Sequence, residues 1–286
     1  MGFGDRLKKT FGKQECAFCG NEVGMLKRDK IKGGEFICHD CRRTCSRYIQ
    51  VYRLTKDELL GHMEAMKRQN KLYEMLEGKA NTSVPSAGNL EAIEFYDDYG
   101  MFRIRDRDKD GRYPMEFIRY DQVASYERYL EEGEPDEPGK PKVFGEWGVD
   151  ITLVGADELL EGELKGRRAH PYINETLRVR INDRDKHIGE LEVNQIISHF
   201  DYIFGVNDNT RGLFNFGLTK QQKREGEALK AMGGLFGAAI KAAKDGGEIS
   251  EETKTQVQDA MNKADDAATG GLARYSRLAD EAEAKI

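Results

Sequence analysis

The chain has 286 residues, 38% of them hydrophobic and 34% charged, with a formal net charge of -6. No run of about eighteen apolar residues is present, so the sequence offers no membrane-spanning helix. The N-terminus lacks the apolar core of a secretory signal, which leads us to expect a cytoplasmic location. The charge is uneven: residues 1–80 hold 17 Lys and Arg against 11 Asp and Glu, and the remainder is net acidic. This length suits two to three small domains better than one large core.

The first eleven residues place Phe3, Leu7 and Phe11 among Arg6, Lys8 and Lys9, a short amphipathic leader. All five cysteines then fall between positions 16 and 45. Cys16-x-x-Cys19 and Cys38-x-x-Cys41 form two pairs separated by eighteen residues. In a reducing compartment, such pairs more often hold a metal than a disulfide. Each Cys-x-x-Cys turn aims two sulfurs at one point, and two such turns close a tetrahedral zinc shell. The spacing therefore predicts a structural zinc ion held by Cys16, Cys19, Cys38 and Cys41. A redox dithiol or plainly buried cysteines are the competing readings. The order expected is a knuckle, a hairpin (Val23–Leu26, a turn at Lys32–Gly34, then Glu35–Ile37) and a helix from about Arg42 to Val51, which is the layout of a treble clef. Cys45 is read as a spare thiol packed against the finger, and His39 as solvated.

Thr55-x-x-Glu58 is a capping box opening a helix that runs to about Glu77 and stops at Gly78. Leu59, Met63, Met66 and Tyr73 share one face of it, whereas His62, Lys67 and Arg68 read as solvated. Residues 79–89 (KANTSVPSAGN) read as a polar linker. Alternating, aromatic-rich runs follow at 92–96, 101–105, 116–120, 124–129, 147–154 and 177–181. Residues 191–199 fit either a strand or a short helix, and 202–206 are a further strand candidate. A closed or nearly closed antiparallel sheet is the expected outcome. Asp106–Gly111 (DRDKDG) matches the opening of a calcium loop, but position 12 is Phe117, not the bidentate glutamate, so an ordinary hairpin turn is preferred. Residues 182–186 read as a second polar turn, and 131–141 (EEGEPDEPGKP) as an acidic loop.

From residue 218 the composition turns to Ala, Gly, Lys and Glu, which predicts a helical tail with Ser250 as one N-cap. Within it, Leu229, Met232, Leu235, Phe236, Ala239 and Ile240 share a face. Gly233, Gly234 and Gly237 weaken an isolated helix by about 1 kcal/mol each. Packing or self-association is favoured there over a membrane surface.

Residues 16–49 resemble the N-terminal zinc-binding domain of the Clp unfoldase ClpX in the Cys-x-x-Cys-Gly knuckle, the eighteen-residue spacing and the Cys-x3-Cys continuation. That resemblance implies zinc on the same four cysteines, self-association, and docking of adaptors and substrates. It stops near residue 50, and no phosphate-binding loop follows, so no ATPase is expected. The runs MGFGDRLKKTFGKQECAFCG and PMEFIRYDQVASYE resemble a group of uncharacterised bacterial proteins. Those combine an amphipathic leader, a zinc finger of unknown function and a β-rich domain similar to pleckstrin-homology-like domains.

The expected architecture is α+β: leader and finger (1–52), helix and linker (53–89), a mainly antiparallel, pleckstrin-homology-like β domain (90–217) and a helical tail (218–286). No nucleophile elbow, His-Glu-x-x-His or Gly-x-Gly-x-x-Gly is present. A non-catalytic protein-interaction module follows, binding a protein partner or a second copy of itself. Peripheral membrane contact is one alternative. Nucleic-acid binding is the other and the weaker, since Arg42, Arg43 and Arg47 make only a short basic patch.

Overall fold

The computed structural model describes residues 12–85, 91–106, 111–132, 144–155, 166–173, 176–181, 186–205, 255 and 271–286. The leader, the tip of the 106–111 turn, most of the 131–141 loop, residues 182–185 and the stretch 228–247 lie outside them. Within the described residues the chain is a mixture of helix and antiparallel sheet.

Four short strands build the N-terminal part. β1 (Gln14–Glu15) pairs with β2 (Glu22–Val23), and β3 (Arg28–Lys30) pairs with β4 (Phe36–Cys38). The expected hairpin is therefore shifted: Val23 belongs to the knuckle, and the strand opposite Phe36 starts at Arg28. Gly33 and Gly34 adopt positive φ in the turn between β3 and β4, a conformation that costs glycine nothing. Helix α1 is one turn, His39–Arg42, in place of the helix expected from Arg42 to Val51. Its continuation stops because Arg42 turns back to donate to the carbonyls of Ser46 and Ile49, which holds the chain in a loop until a 3-10 turn at Val51–Arg53.

Helix α2 (Lys56–Leu76) has the capping box the sequence promised. The Thr55 hydroxyl accepts from the Glu58 amide, and the Glu58 carboxylate accepts from the Thr55 amide at 2.7 Å. Loss of such a cap costs about 1 kcal/mol. Its buried face is Leu59, His62, Met66, Leu72 and Leu76, with the half-buried Gln69 between Met66 and Leu72 completing a three- and four-residue spacing.

The sequence reading places 79–89 in a linker, but Thr82–Pro85 forms β5. It pairs antiparallel with β6 (Glu91–Tyr96) and buries Val84 against the core. Pro85 sits at the end of this edge strand, where its missing N–H is tolerated. The order in this sheet is β5-β6-β7-β8, with β7 at Met101–Asp106 and β8 at Ile118–Arg119. A second sheet has the order β11-β10-β9, from Val123–Glu132 (β9), Phe144–Leu153 (β10) and Thr176–Ile181 (β11). The expected closed sheet is thus two separate sheets among the described residues. β8 is only two residues long and gives way to a 3-10 turn at Tyr120–Gln122, which ends the first ladder before β9 begins the second.

Helix α3 (Lys186–Phe204) takes in the ambiguous segment 191–199 and residues 202–204 of the strand candidate at 202–206, whose last residue lies outside the described residues. Val193, Ile196, Phe200 and Ile203 are buried, a spacing of three and four that suits a helix and not a pleated strand. Phe200 meets Phe95, Phe102 and Tyr126 with ring centroids 4.9–5.4 Å apart, so one side chain ties the two sheets together.

Helix α4 (Leu272–Glu283) is the described part of the expected helical tail. It is clasped by Arg119, whose side chain is almost fully buried and holds Asp121, Asp280 and Glu283 at 2.8–2.9 Å. Gly100, at φ 63°, lets the helix come close: a Cβ there would lie 2.0 Å from the Tyr275 carbonyl oxygen.

The N-terminal part and the sheets share one apolar core. Ile31, Ile37, Cys45, Ile49, Val51 and Leu59 belong to the same cluster as Ile93, Phe102, Ile151 and Phe200. A buried polar group seals the junction. The Ser46 hydroxyl donates to Glu116 Oε2, and the Ser46 amide donates to His62 Nε2 at 2.9 Å. His170 Nε2 lies 3.3 Å from Glu116 Oε1. His62, read from sequence as solvated, is fully buried, because it falls between Leu59 and Met66 on the inward face of α2.

Two outcomes are expected. Gly100→Ala should destabilise the chain by at least about 2 kcal/mol and free α4, seen as a lower urea midpoint and earlier proteolysis within 272–283. Burial pushes the His62 pKa down from 6.5 to about 4, despite the nearby Glu116 carboxylate, with His170 and Arg42 adding to the fall. The unfolded chain therefore takes up this proton first. Stability should be full above about pH 6.5 and fall by roughly 3 kcal/mol as pH drops to about 4. Glu116, held low, adds to the loss in acid. A flatter pH profile of the urea midpoint in His62→Gln checks the assignment.

Candidate metal centre

The knuckle is a tight turn built around Cys16. The Cys16 amide donates to the Asn21 carbonyl and its carbonyl accepts from the Gly20 amide, both at 2.9 Å. Gly20, at φ 74°, supplies the left-handed residue that closes this loop. The Ala17 amide donates to the Phe36 carbonyl at 2.9 Å, which pins the knuckle to the end of the β3–β4 hairpin. β4 delivers Cys38 as the N-cap of α1, its sulfur accepting from the Cys41 amide at 3.4 Å. The Cys38 amide in turn donates to the Cys16 sulfur at 3.3 Å.

These elements bring the four sulfurs together. Cys16 and Cys41 are 3.8 Å apart, Cys19 and Cys38 are 3.7 Å apart, and all four lie within 4.8 Å of one another. A tetrahedral ion with metal–sulfur bonds of about 2.3 Å would set sulfur–sulfur edges of about 3.8 Å. None of the five cysteines forms a disulfide. The cluster therefore fits a single tetrahedral ion, and a soft, all-sulfur donor set suits zinc.

The electrostatics of the cluster point the same way. Burial raises the Cys16 thiol, but the amides of Cys19, Cys38 and Phe18 aim at the sulfur and bring its pKa down to about 6. Burial pushes Cys38 and Cys41 up, and neighbouring sulfurs add to the rise at Cys41. Four thiolates this close repel one another, and a divalent cation at their centre removes that penalty.

Cys45 stands apart. It is fully buried in the apolar core, with its sulfur 3.8 Å from the Cys41 carbonyl oxygen, and burial raises its pKa to about 11. His39 is exposed, as expected. The residues that sequence reasoning missed are Ser46, His62, Glu116 and His170. They meet in space from four separate segments, and no local spacing signals them.

Residues 14–62 match a family described as a domain of unknown function, DUF4428. The match takes in the four cysteines, Cys45, Ser46 and the first turns of α2 through His62, and fits a zinc-finger-like N-terminal module. No curated protein and no solved structure matches the chain. No helix among the described residues is long and apolar enough to cross a membrane.

One equivalent of zinc per folded chain is expected by elemental analysis. Cys16→Ser and Cys38→Ser should each lose most of the metal. Cys45→Ser should keep it, yet lower stability by about 1–3 kcal/mol by placing a hydroxyl in an apolar site. Loss of zinc from Cys45→Ser with retention in Cys41→Ser would reverse the assignment.

Proposed function

We propose that the chain is a non-catalytic protein-interaction module whose zinc ion, held by Cys16, Cys19, Cys38 and Cys41, is structural. The convergence of four sulfurs carries this reading, because four thiolates fill a tetrahedral shell and leave no position for substrate or water. The hairpin-then-helix order supports a treble-clef arrangement like that of the ClpX zinc-binding domain. The run of four strands, three strands and a helix, with α3 against both sheets, supports a pleckstrin-homology-like body. A cytoplasmic location belongs to the same proposal.

The docking face lies at the tip of the finger. Between β2 and β3, Leu26 is 85% exposed and Met25 43% exposed, with Lys13, Lys27, Glu22 and Asp40 around them. An exposed apolar pair rimmed by mixed charge suits a protein partner, which can be a second copy of this chain, better than the uniform positive face a nucleic acid requires.

Pull-down and sedimentation with the zinc-loaded full chain test this reading. Wild type should retain a protein partner or self-associate, and Met25→Asp/Leu26→Asp should lose that association while keeping its zinc. An unchanged association in the double variant would remove the finger tip from the interface, and a monomer with no partner would sink the proposal.

A further inference from the structure

A cavity of about 260 Å³ opens between α2, the Glu116–Gln122 segment and the His170–Tyr172 segment. At roughly 30 Å³ per water it has room for about nine waters, more than a bridging solvent site needs and less than a drug-sized pocket. Its walls are about half apolar, from Met66, Leu72, Phe117 and Tyr172, and half polar, with Gln69, Gln122 and His170 beside the charged groups. The charges are few and placed unevenly. Arg119 and Glu283 line it but satisfy each other at 2.9 Å, which leaves Glu116 and Arg68.

Glu116 is the deep charge. Its side chain is 3% exposed, and Oε2 is taken by the Ser46 hydroxyl. Oε1 has no hydrogen-bond partner among the described residues. His170 faces that oxygen, but its position is fixed from behind: its Nδ1 accepts from the Tyr172 and Ile173 amides, which leaves the proton on Nε2. Nε2 lies 3.3 Å from Oε1, so its proton offsets the charge there without an aligned hydrogen bond, and a ligand donor entering the cavity would supply the bond that the buried oxygen lacks. Arg68 is the outer charge, exposed on α2 and without an ion-pair partner among the described residues.

A simple anion would meet the Glu116 carboxylate, and a simple cation would leave Arg68 unanswered. The geometry points to a binding site for a small zwitterion with an apolar body, of the α-amino acid class. Its ammonium group donates to Glu116 Oε1, its carboxylate faces Arg68, and its side chain lies against Met66, Leu72 and Phe117. This site is independent of the finger's role in docking, although the finger contributes Ser46 behind the carboxylate.

Calorimetric titration of the zinc-loaded full chain tests it with L-leucine, L-methionine and L-phenylalanine as probes. Isoamylamine, which lacks the carboxylate, and 4-methylpentanoate, which lacks the amine, serve as controls. Saturable binding of at least one amino acid is expected, tighter than either control by about tenfold or more. Arg68→Ala should weaken the amino acid about tenfold and leave isoamylamine unchanged. Glu116→Gln should abolish binding, read alongside its melting curve. Arg68 is exposed, so its variant folds and decides the matter even if Glu116→Gln does not. No saturable binding of any probe, equal binding of isoamylamine and leucine, or an indifferent Arg68→Ala would each overturn the proposal and leave a water-filled cavity.

Discussion

The constraint on which the N-terminal finger depends is that about forty residues cannot bury a core of their own. Below that size, domains need a metal, a disulfide or a partner surface. This chain has a site for the first and provides the third. The four cysteines converge on one point, and Ile31, Ile37, Cys45, Ile49 and Val51 project from the other side of the finger into the core of the sheets. The finger is thus braced at both ends, by a site that fits an ion and by an apolar surface. Helix α2 is the brace between them, with Leu59 in the shared core and Leu72 and Leu76 in a second cluster with Tyr96, Phe117 and Ala279.

That arrangement makes the junction polar as well as apolar, and the polar part is the more demanding. Ser46, His62, Glu116 and His170 are worth little unless all are in place. A buried carboxylate stripped of its partners costs several kcal/mol, and the same low dielectric that strengthens each hydrogen bond sharpens the penalty for losing one. Ser46 sits one residue past Cys45 and five past Cys41, in the loop that Arg42 holds by its bonds to the Ser46 and Ile49 carbonyls. Geometry at the sulfurs therefore reaches Glu116 through one short, hydrogen-bonded loop.

What the sequence made legible was local. The Cys-x-x-Cys pairs, the Thr55–Glu58 capping box and the alternating runs of β6, β7, β9, β10 and β11 all carry their signal within a few residues, and the structure has each of them. What it concealed was decided by distant partners. β5 hides in a stretch of Thr, Ser, Val and Pro that reads as linker, and becomes a strand because β6 offers it a ladder. The segment 202–206 is aromatic and short enough to read as a strand, but Phe200 and Ile203 complete the helical stripe that seats α3 on both sheets. His62 reads as solvated until its neighbours on the helix turn it inward. The polar junction draws on positions 46, 62, 116 and 170, and no window of sequence contains two of its contacts except through Ser46 and His62.

The C-terminal helix shows the same logic from the opposite end of the chain. Arg119 is almost fully buried and could not remain charged there alone. Asp121, two residues on, answers it from the 3-10 turn that follows β8, and Asp280 and Glu283 answer it from α4. Ser276 adds a hydroxyl that donates to Asp121 at 2.6 Å, so both partners of the central pair are bonded to α4. Removing the helix would leave Arg119 and Asp121 paired with each other but short of those bonds, and would uncover Tyr275's place against Tyr120. The helix is consequently held by a charge requirement of the sheet and not merely by its own apolar stripe of Leu272, Tyr275, Ala279 and Ala282. Because Glu283 also lines the cavity beneath α2, the clasp that satisfies Arg119 takes that arginine out of competition for a ligand. Glu116 and Arg68 are then the charges left to face what enters.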